Sequence, residues 1–513
     1  MLSVTDTQRA LRSDLQTRLG STIVSNDDAD RIAYARDLWP RQQIRTQHGA
    51  VAVAPPALIV WPNHIDEVSE VVRFAAERGV PIVPYGAGSG VCGGVLPTDQ
   101  TIVMDMKKMR SIERVDDDRL RCDAQAGIIG QHLEEGLEAR GFTLGHFPSS
   151  IICSTLGGWV AGRSAGQCSG RYGKIEDMVT SLRIVDGRGE QITATEGGAN
   201  GELLPLIIGS EGVLCAITDV SVRVSPAPTY RAFSSWLFDS TEDGLDAIRR
   251  IYQAGLRPAV ARLYDPFDSM ISRTFKKGHS DREIDHAATP GLAIRTLTKV
   301  LRRPSAINRL ISATPDSIMG GAKLVLVWED HQELADFEKH QAEKICLSYA
   351  VRDTGEAPAR HWIGHRHSVS YRQSPLFAAG AFVDTMEVAA PWSRLWPMYG
   401  AVRRALSKNV FVMAHFSHAY PDGASIYFTF VGSGRDEEHA LQLYDDTWRQ
   451  ALHTVIESGG TLSHHHGVGR SKAPAMRQEQ GHAIEVVRAL KRTMDPHNIF
   501  NPGALIPNHE VVR

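Results

Sequence analysis

Little in this sequence would place it in a membrane, on a nucleic acid or in a disulfide scaffold. No run of about 18 apolar residues occurs, so no segment has the length of a membrane-spanning helix. The opening MLSVTDTQRALRSDLQ has no apolar core followed by a small-residue cleavage site, and no secretory signal is expected. A formal charge of -3 over 513 residues carries no global positive bias, so no nucleic-acid partner is expected. The six cysteines (Cys92, Cys122, Cys153, Cys168, Cys215, Cys346) include no Cys-x-x-Cys pair and no metal-like spacing. They fit reduced thiols better than a disulfide framework, and no metal is expected. With no internal repeat and no low-complexity tract, the chain reads as a cytoplasmic protein, soluble or at most peripheral to a membrane.

What is present is length and a sequence of α+β signals. A chain of this size exceeds what one hydrophobic core usually supports, which predicts two or three domains with a cleft able to hold a cofactor. Residues 1–50 read as a helical preface, with Thr5 and Asp6 able to cap a helix that Gly20 closes. A β-α-β unit follows: ALIVWP, a helix carrying Ile65, Val68, Val71, Val72 and Ala75 on one face, then VPIV. The prolines Pro226 and Pro228 punctuate the chain, and a fresh strand, helix and strand begin after them, which marks a domain boundary. Between 269 and 313 leucines and isoleucines interleave with Arg295, Lys299, Arg302, Arg303 and Arg309. That stretch is a basic amphipathic helix able to touch anionic lipid, or equally an ordinary solvated helix pair or loop.

The strand VPIV runs into Tyr85-Gly86-Ala87-Gly88-Ser89-Gly90, which invites a Rossmann reading that the spacing refuses. With Gly86 and Gly88 as the first two glycines, the third position falls on Val91, and Cys92-Gly93-Gly94-Val95-Leu96-Pro97 does not open a regular helix. What remains is a turn whose backbone N–H groups can converge on an anion, since glycine tolerates positive φ and lets the chain approach a phosphate. A glycine-rich connection with no ligand explains the loop alone about as well. A second glycine-rich segment, Ser154-Thr155-Leu156-Gly157-Gly158-Trp159 through Arg163-Ser164-Ala165-Gly166, tips the balance toward one long, two-ended ligand.

These segments resemble a known family: the vanillyl-alcohol oxidase type of FAD-binding flavoproteins, and within it the alkyldihydroxyacetonephosphate synthases and their bacterial relatives. The resemblance rests on PYGAGSGVCGGV, GHFPSS, STLGGWVAGRSAGQCSGRYGKIEDMV, GSEGVLCAITDVSVRV, ARLYD, GASIYFTF, GGTLSHHHGVGR and MDPHNIFNPGAL, between about residues 55 and 507. Several of these are shared across the superfamily, including D-lactate and glycolate dehydrogenases. The narrower resemblance lies where those dehydrogenases carry a metal-associated His-Gly-Asp-Gly-Asn and Glu-His-Gly. Here stand His418-Ala419-Tyr420-Pro421-Asp422-Gly423 and His464-His465-His466-Gly467.

The resemblance implies an α+β fold with a PCMH-type FAD-binding domain at 51–228 and an α+β cap domain at 229–455. A C-terminal segment, 456–513, would pack back on the FAD domain. It implies non-covalent FAD, with Pro84, Tyr85, Gly86, Ala87, Gly88, Ser89, Gly90 and Gly93 in the first binding segment. His146, Ser149, Ser154, Thr155, Gly157, Gly158, Trp159, Arg163, Ser164, Glu211, Gly212 and Ile217 complete the expected cofactor set. The implied reaction exchanges the acyl group of acyl-dihydroxyacetone phosphate for a fatty alcohol through a flavin N5 adduct, forming an ether with no net redox change. A small lipid substrate and a homodimer are expected with it.

Tyr427 matches the family's active-site tyrosine, although by period alone it is an ordinary strand tyrosine between Ile426 and Phe428. Three adjacent imidazoles are rarely needed by a core. His465 and His466 are read as acid-base or polarising groups, and His464 as a further candidate. A metal site is the competing reading, but adjacent residues cannot all turn to one ion and no carboxylate stands at a recognisable spacing. Arg262 in ARLYD and Arg372 match phosphate-binding positions, where the planar guanidinium fork suits the ligand, while any single arginine is by default a surface or ion-pairing residue. The segment 147–153 departs from the acidic pattern of animal members, which leaves the substrate open. The alternative activity is an FAD-dependent oxidase or dehydrogenase of a hydroxylated substrate. A flavin-binding protein without catalysis is the third reading.

Overall fold

The computed structural model describes residues 5–20, 23–46, 54–269, 301, 304–305, 308–309, 314–316, 318–367, 376–377 and 380–507. Most of the basic stretch at 269–313 and the whole of Arg372 lie outside the described residues. The chain forms two compact units: Met1–Gly166, Gly173–Ala227 and His465–Arg513 make the first, and Gln167–Tyr172 with Pro228–His464 make the second. The helical preface thus belongs to the first unit, and the return to that unit falls between His464 and His465.

In the first unit a four-stranded sheet runs in the order Val24–Ser25, Leu58–Val60, Ile102–Asp105, Ile82–Tyr85. Its runs LIV, IVMD and IVPY are almost wholly apolar and buried, as strands covered on both faces must be. The helix Ile65–Arg78 buries Ile65, Val68, Val71, Val72 and Ala75 and ends at Gly79, which adopts the left-handed conformation at φ 63°. The two strands flanking this helix do not pair with each other. Both pair in parallel with Ile102–Asp105, which is inserted between them. A second sheet, antiparallel, has the order Ile112–Asp116, Arg121–Gln125, Ala216–Arg223, Val179–Val185, Gln191–Thr195.

The C-terminal MDPHNIFNPGAL segment is bound to the first sheet. Ile82 N–H donates to Ile499 O at 2.7 Å, and Asn501 N–H donates to Ile82 O at 2.8 Å. Its anchor is the buried Lys491, whose Nζ donates to Val213 O (2.7 Å), Phe500 O (2.7 Å) and Asp495 Oδ2 (2.5 Å). Asp495 in turn accepts from Ile499 and Phe500 N–H at 3.1 and 2.8 Å. One ammonium and one carboxylate therefore satisfy each other and four backbone groups in a space closed to water.

The second unit is built on a seven-stranded antiparallel sheet ordered Val351–Asp353, Tyr230–Phe238, Ala322–Asp330, Val260–Tyr264, Phe411–Ala419, Gly423–Ser433, Ala381–Pro391. Along Gly423–Ser433 the period of two is plain: Ile426, Phe428 and Phe430 are buried, while Tyr427 and Thr429 between them turn to the other face and are only partly covered. Helices Trp392–Leu406 and Glu437–Glu457 supply buried partners such as Met398, Tyr399, Tyr444 and Trp448. This is the α+β cap architecture that the resemblance implies.

Removing the Lys491 ammonium leaves a buried carboxylate and two carbonyls without their donor. Lys491→Met is expected to destabilise the first unit by about 3–5 kcal/mol. Urea unfolding followed by tryptophan fluorescence measures this, and a loss below about 1 kcal/mol would show that water replaces the ammonium.

Candidate functional site

The first unit holds the glycine loop in a form that leaves its amides open. Lys107 Nζ donates to Gly86 O at 2.6 Å while pairing with Asp105 at 2.8 Å. Leu38 N–H donates to both Gly88 O (3.1 Å) and Gly90 O (3.0 Å). The carbonyls are thus turned to the protein, whereas the N–H groups of Ala87, Gly88, Ser89 and Gly90 donate to no protein group among the described residues. Gly88 sits at φ +60°, and a Cβ there would fall on the Tyr85 hydroxyl. A Cβ on Gly86 would strike Thr155 Oγ1, so the two glycine-rich segments approach as closely as glycine permits. Successive unfilled amides of this kind form an anion cradle, and they fit the pyrophosphate of FAD without a helix dipole.

Thr155 begins the helix Leu156–Gly162 and accepts from Gly158 N–H at 3.2 Å. Ser154 receives the Trp159 indole N–H at 2.7 Å, and the Trp159 ring packs 4.7 Å from the ring of His146. His146 is buried, with Nε2 at 3.1 Å from Ser164 Oγ and Nδ1 left without a hydrogen bond. Burial, reinforced by the charge of nearby His465, lowers its pKa to about 3. A neutral imidazole with an orphaned ring nitrogen beside the second segment is a further feature that fits a bound cofactor. Gly212, at φ +70°, packs on Pro84, and Ile217 lies at a bulge in its strand. Arg163 closes the helix Leu156–Gly162 and pairs with Glu176 at 3.1 Å with its side chain 58% exposed. Ser149 is partly exposed.

Glu211 serves the C-terminal strap. Its half-buried carboxylate accepts from Val468 N–H at 2.5 Å and from Gly469 N–H at 2.7 Å. Burial raises its pKa against the pull of those two amides and of Lys472. Cys92 O accepts from the N–H groups of Arg470 and Ser471, each at 3.0 Å. These bonds fold the segment after His466 onto the end of the glycine loop. His465 and His466 stand with ring centroids 4.8 Å apart, and His465 is near enough to His146 to disfavour a second positive charge.

A separate polar cluster surrounds Tyr427 in the second unit. Tyr427 pairs across the sheet with His415 on one side and Glu387 on the other. The His415 ring stacks on it at 4.6 Å and 18°. His418 Nε2 lies 2.8 Å from the Tyr427 hydroxyl, and His418 Nδ1 lies 2.9 Å from Ser169 Oγ, itself 2.9 Å from the Tyr420 hydroxyl. Burial, then the neighbouring Glu387, pushes the Tyr427 phenol well above its usual pKa, with Arg262 opposing, so it is a loaded proton donor at neutral pH.

Arg262 Nη2 donates to His415 Nε2 at 2.7 Å and its guanidinium lies over the rings of Tyr264 and Trp362. Accepting at Nε2 fixes the His415 proton on Nδ1, 3.4 Å from Asp268. Burial, then Arg262, holds the His415 pKa well below normal, which agrees with this neutral tautomer. Arg262 Nε is buried and has no hydrogen-bond partner among the described residues. His464 N–H donates to Glu387 Oε2 at 3.0 Å, and the His464 ring lies 5.6 Å from His418 and 5.4 Å from Tyr420.

His415, His418, Ser169, Tyr420 and Glu387 are members of this cluster that the sequence does not single out. In a regular strand, residues three apart point to opposite faces, so His415 and His418 are not read as neighbours of one tyrosine. The register shifts between Ser417 and Ala419, and His418 adopts φ 48° there. That bulge turns both imidazoles toward Tyr427. The carboxylate that no sequence spacing reveals is Glu387, brought to His464 by the sheet.

Two family models match: "FAD binding domain" over residues 56–195 and "FAD linked oxidases, C-terminal domain" over residues 227–505. The chain is 30% identical to an alkyldihydroxyacetonephosphate synthase of Dictyostelium discoideum over 497 residues, covering 94% of this chain and 78% of that protein. It is 25% identical to a glycolate oxidase subunit of Bacillus subtilis, covering 94% and 93% of the two chains. A solved structure of an alkyldihydroxyacetonephosphate synthase superposes with a TM-score of 0.77 at 25% identity, over 98% of this chain and 86% of the other.

Two expected outcomes test the cradle. Gly86→Ala is expected to displace Thr155 and to lower flavin retention after gel filtration by roughly tenfold, since a misplaced contact of about 1.4 kcal/mol has that effect. Thr155→Gly added to it should restore binding, because glycine is nearly as good an N-cap; loss in the double variant as well would place the fault elsewhere.

His146 titrates near 6.5 in the unfolded chain and near 3 when folded. Its contribution is whole above pH 6.5 and is lost as the pH falls toward 3, at about 1.4 kcal/mol per pH unit. Between about pH 6.5 and pH 5 the protein should therefore lose about 1.6 kcal/mol more than His146→Gln does, read from urea midpoints; equal slopes would show that His146 is solvated.

Proposed function

This chain belongs to the alkyldihydroxyacetonephosphate synthase family of FAD-linked flavoproteins, and from that premise we propose that it exchanges the acyl group of acyl-dihydroxyacetone phosphate for a fatty alcohol. FAD is its cofactor, and the chain is an FAD-dependent enzyme. The observation that carries the reading is the Tyr427 cluster of the second unit: a neutral phenol held between two imidazoles, beside an arginine whose buried Nε–H meets no acceptor among the described residues.

In the proposed reaction the C1–O bond to the fatty acid breaks, a C1–O bond to the alcohol forms and one proton leaves the alcohol, with no net redox change. The flavin, when bound, supplies at N5 the covalent carrier that divides this displacement into two steps. Tyr427 exchanges a proton at C1 of the substrate, a task for which its raised pKa keeps the hydroxyl protonated. Arg262 binds the substrate phosphate, its fork oriented by His415, Tyr264 and Trp362. Arg372 is assigned the same role by its family position. His465 and His466 act as acid-base or polarising groups, with His464 oriented by Glu387. A homodimer, and peripheral membrane contact through residues 269–313, are part of the same proposal. No helix among the described residues is long and apolar enough to cross a membrane.

A second reading, oxidation of a hydroxy acid or alcohol, is favoured by the similarity to the glycolate oxidase subunit. The two differ in what becomes of the electrons. Incubating the holoenzyme with palmitoyl-dihydroxyacetone phosphate and labelled hexadecanol is expected to yield labelled ether and free palmitate one for one. Tyr427→Phe should lower kcat by roughly 10²- to 10⁴-fold while the flavin content stays unchanged. Absence of ether, together with a hydroxylated substrate that bleaches the flavin anaerobically and leaves it reduced, would replace the transferase reading with the oxidase one.

A further inference from the structure

We propose that His418, Ser169 and Tyr420 form a proton relay that positions the Tyr427 hydroxyl and resets its protonation state during turnover. The proposal rests on the reading of Tyr427 as the proton-exchanging group. Its basis is a continuous line of four groups: Tyr427 hydroxyl to His418 Nε2 at 2.8 Å, His418 Nδ1 to Ser169 Oγ at 2.9 Å, and Ser169 Oγ to Tyr420 hydroxyl at 2.9 Å. Every member can both donate and accept. Ser169 and His418 are buried, whereas Tyr427 and Tyr420 at the two ends are each partly exposed, so the line joins the tyrosine assigned to the substrate to a second tyrosine that meets solvent.

A neutral imidazole carries one proton, and the line therefore has two polarities. In one, Tyr427 donates to Nε2, Nδ1–H donates to Ser169 and Ser169 donates to Tyr420. In the other, Tyr420 donates to Ser169, Ser169 donates to Nδ1 and Nε2–H donates to Tyr427. Passing from the first to the second, the Tyr427 proton moves to Nε2, the Nδ1 proton to Ser169, the Ser169 proton to Tyr420, and the Tyr420 proton to water. When substrate returns a proton to the phenolate, each O–H and N–H bond broken has been replaced and no electron has moved. The surroundings of Tyr427 penalise its anion, and the relay supplies a hydrogen-bonded route for its proton.

The backbone is committed to this arrangement. His418 takes a left-handed conformation at φ 48°, which L-residues adopt at a cost of about 1–2 kcal/mol. A regular ladder would turn its ring to the opposite face, away from Tyr427. Ser169 comes from the short segment Gln167–Tyr172, which packs with the second unit although its chain neighbours belong to the first. The hydrogen bonds to His418 and Tyr420 fix its side chain there.

The test uses holoenzyme labelled with 3-fluorotyrosine, with the Tyr427 and Tyr420 fluorine lines assigned by Tyr→Phe variants. Ser169 touches His418 and Tyr420, so Ser169→Ala should move the Tyr427 line only through the relay. The same variant should lower kcat for ether formation by roughly 10- to 100-fold and leave the KM of the acyl substrate within about twofold. Tyr420→Phe, which keeps the ring, is the second break and should act alike. A Tyr427 line that stays in place in both variants, or kcat within about twofold of wild type, overturns the relay. If wild-type enzyme makes no ether, the transferase reading fails, and the relay is then judged on the fluorine lines alone.

Discussion

The first unit's site depends on one half-buried carboxylate. Among the described residues Glu211 accepts from the amides of Val468 and Gly469 and from no cation, and a carboxylate partly withdrawn from water is tolerated when such donors compensate it. Those bonds fix a segment more than two hundred residues away in sequence. They require Gly467 and Gly469 at φ +83° and +54°, with no room for side chains: a Cβ on Gly467 would lie 2.9 Å from Glu211 Oε1, and one on Gly469 would strike Cys92 O. The glycines of the histidine motif are therefore there to let the carboxylate reach the backbone. Asn501 extends the same lock by donating to Glu211 O at 2.9 Å and Gly94 O at 2.7 Å.

The two units differ in how they use charge. The first presents amides without acceptors and a histidine that burial keeps neutral, a surrounding that suits a phosphate-bearing cofactor. In the second, burial keeps both His415 and Tyr427 in their neutral forms, and the charges that remain are aimed: Arg262 at His415, Glu387 at the His464 backbone. Neutral groups in hydrogen-bonded contact can exchange roles as donor and acceptor at little electrostatic cost. A fully ionised pair in the same place would be locked in one state.

How much of this the sequence discloses depends on the kind of constraint. The glycine loop is legible because positive φ and close approach demand one residue type, and Gly86 and Gly88 announce both. Buried strands carry no single marker residue, yet the apolar strings LIV and IVMD identify them from composition alone. Tyr427 is legible only through resemblance, since its period is that of any strand residue. The resemblance also assigns Glu211 and Arg163 to the cofactor, and it carries no sign that the Glu211 carboxylate ties down the C-terminal strap or that the Arg163 side chain pairs with Glu176. Glu387 is invisible because strand pairing sets it beside Tyr427 and its carboxylate takes the N–H of a His464 far along the chain, and neither leaves a trace in spacing.

His418 shows why parity arguments fail where function concentrates. A period of two holds only while a strand stays regular, and the bulge after Ser417 adds one residue and reverses the facing of the positions beyond it. The same segment is where the chain departs from the His-Gly-Asp-Gly-Asn pattern of the hydroxy-acid dehydrogenases it otherwise resembles. A metal-binding loop would hold its histidine by coordination. Here the imidazole is held by Tyr427 on one nitrogen and Ser169 on the other, so both nitrogens are occupied by groups that exchange protons. Under the proposed reaction, the strained backbone at His418 serves proton transfer in the second unit, and the cofactor cradle of the first unit cannot reveal it.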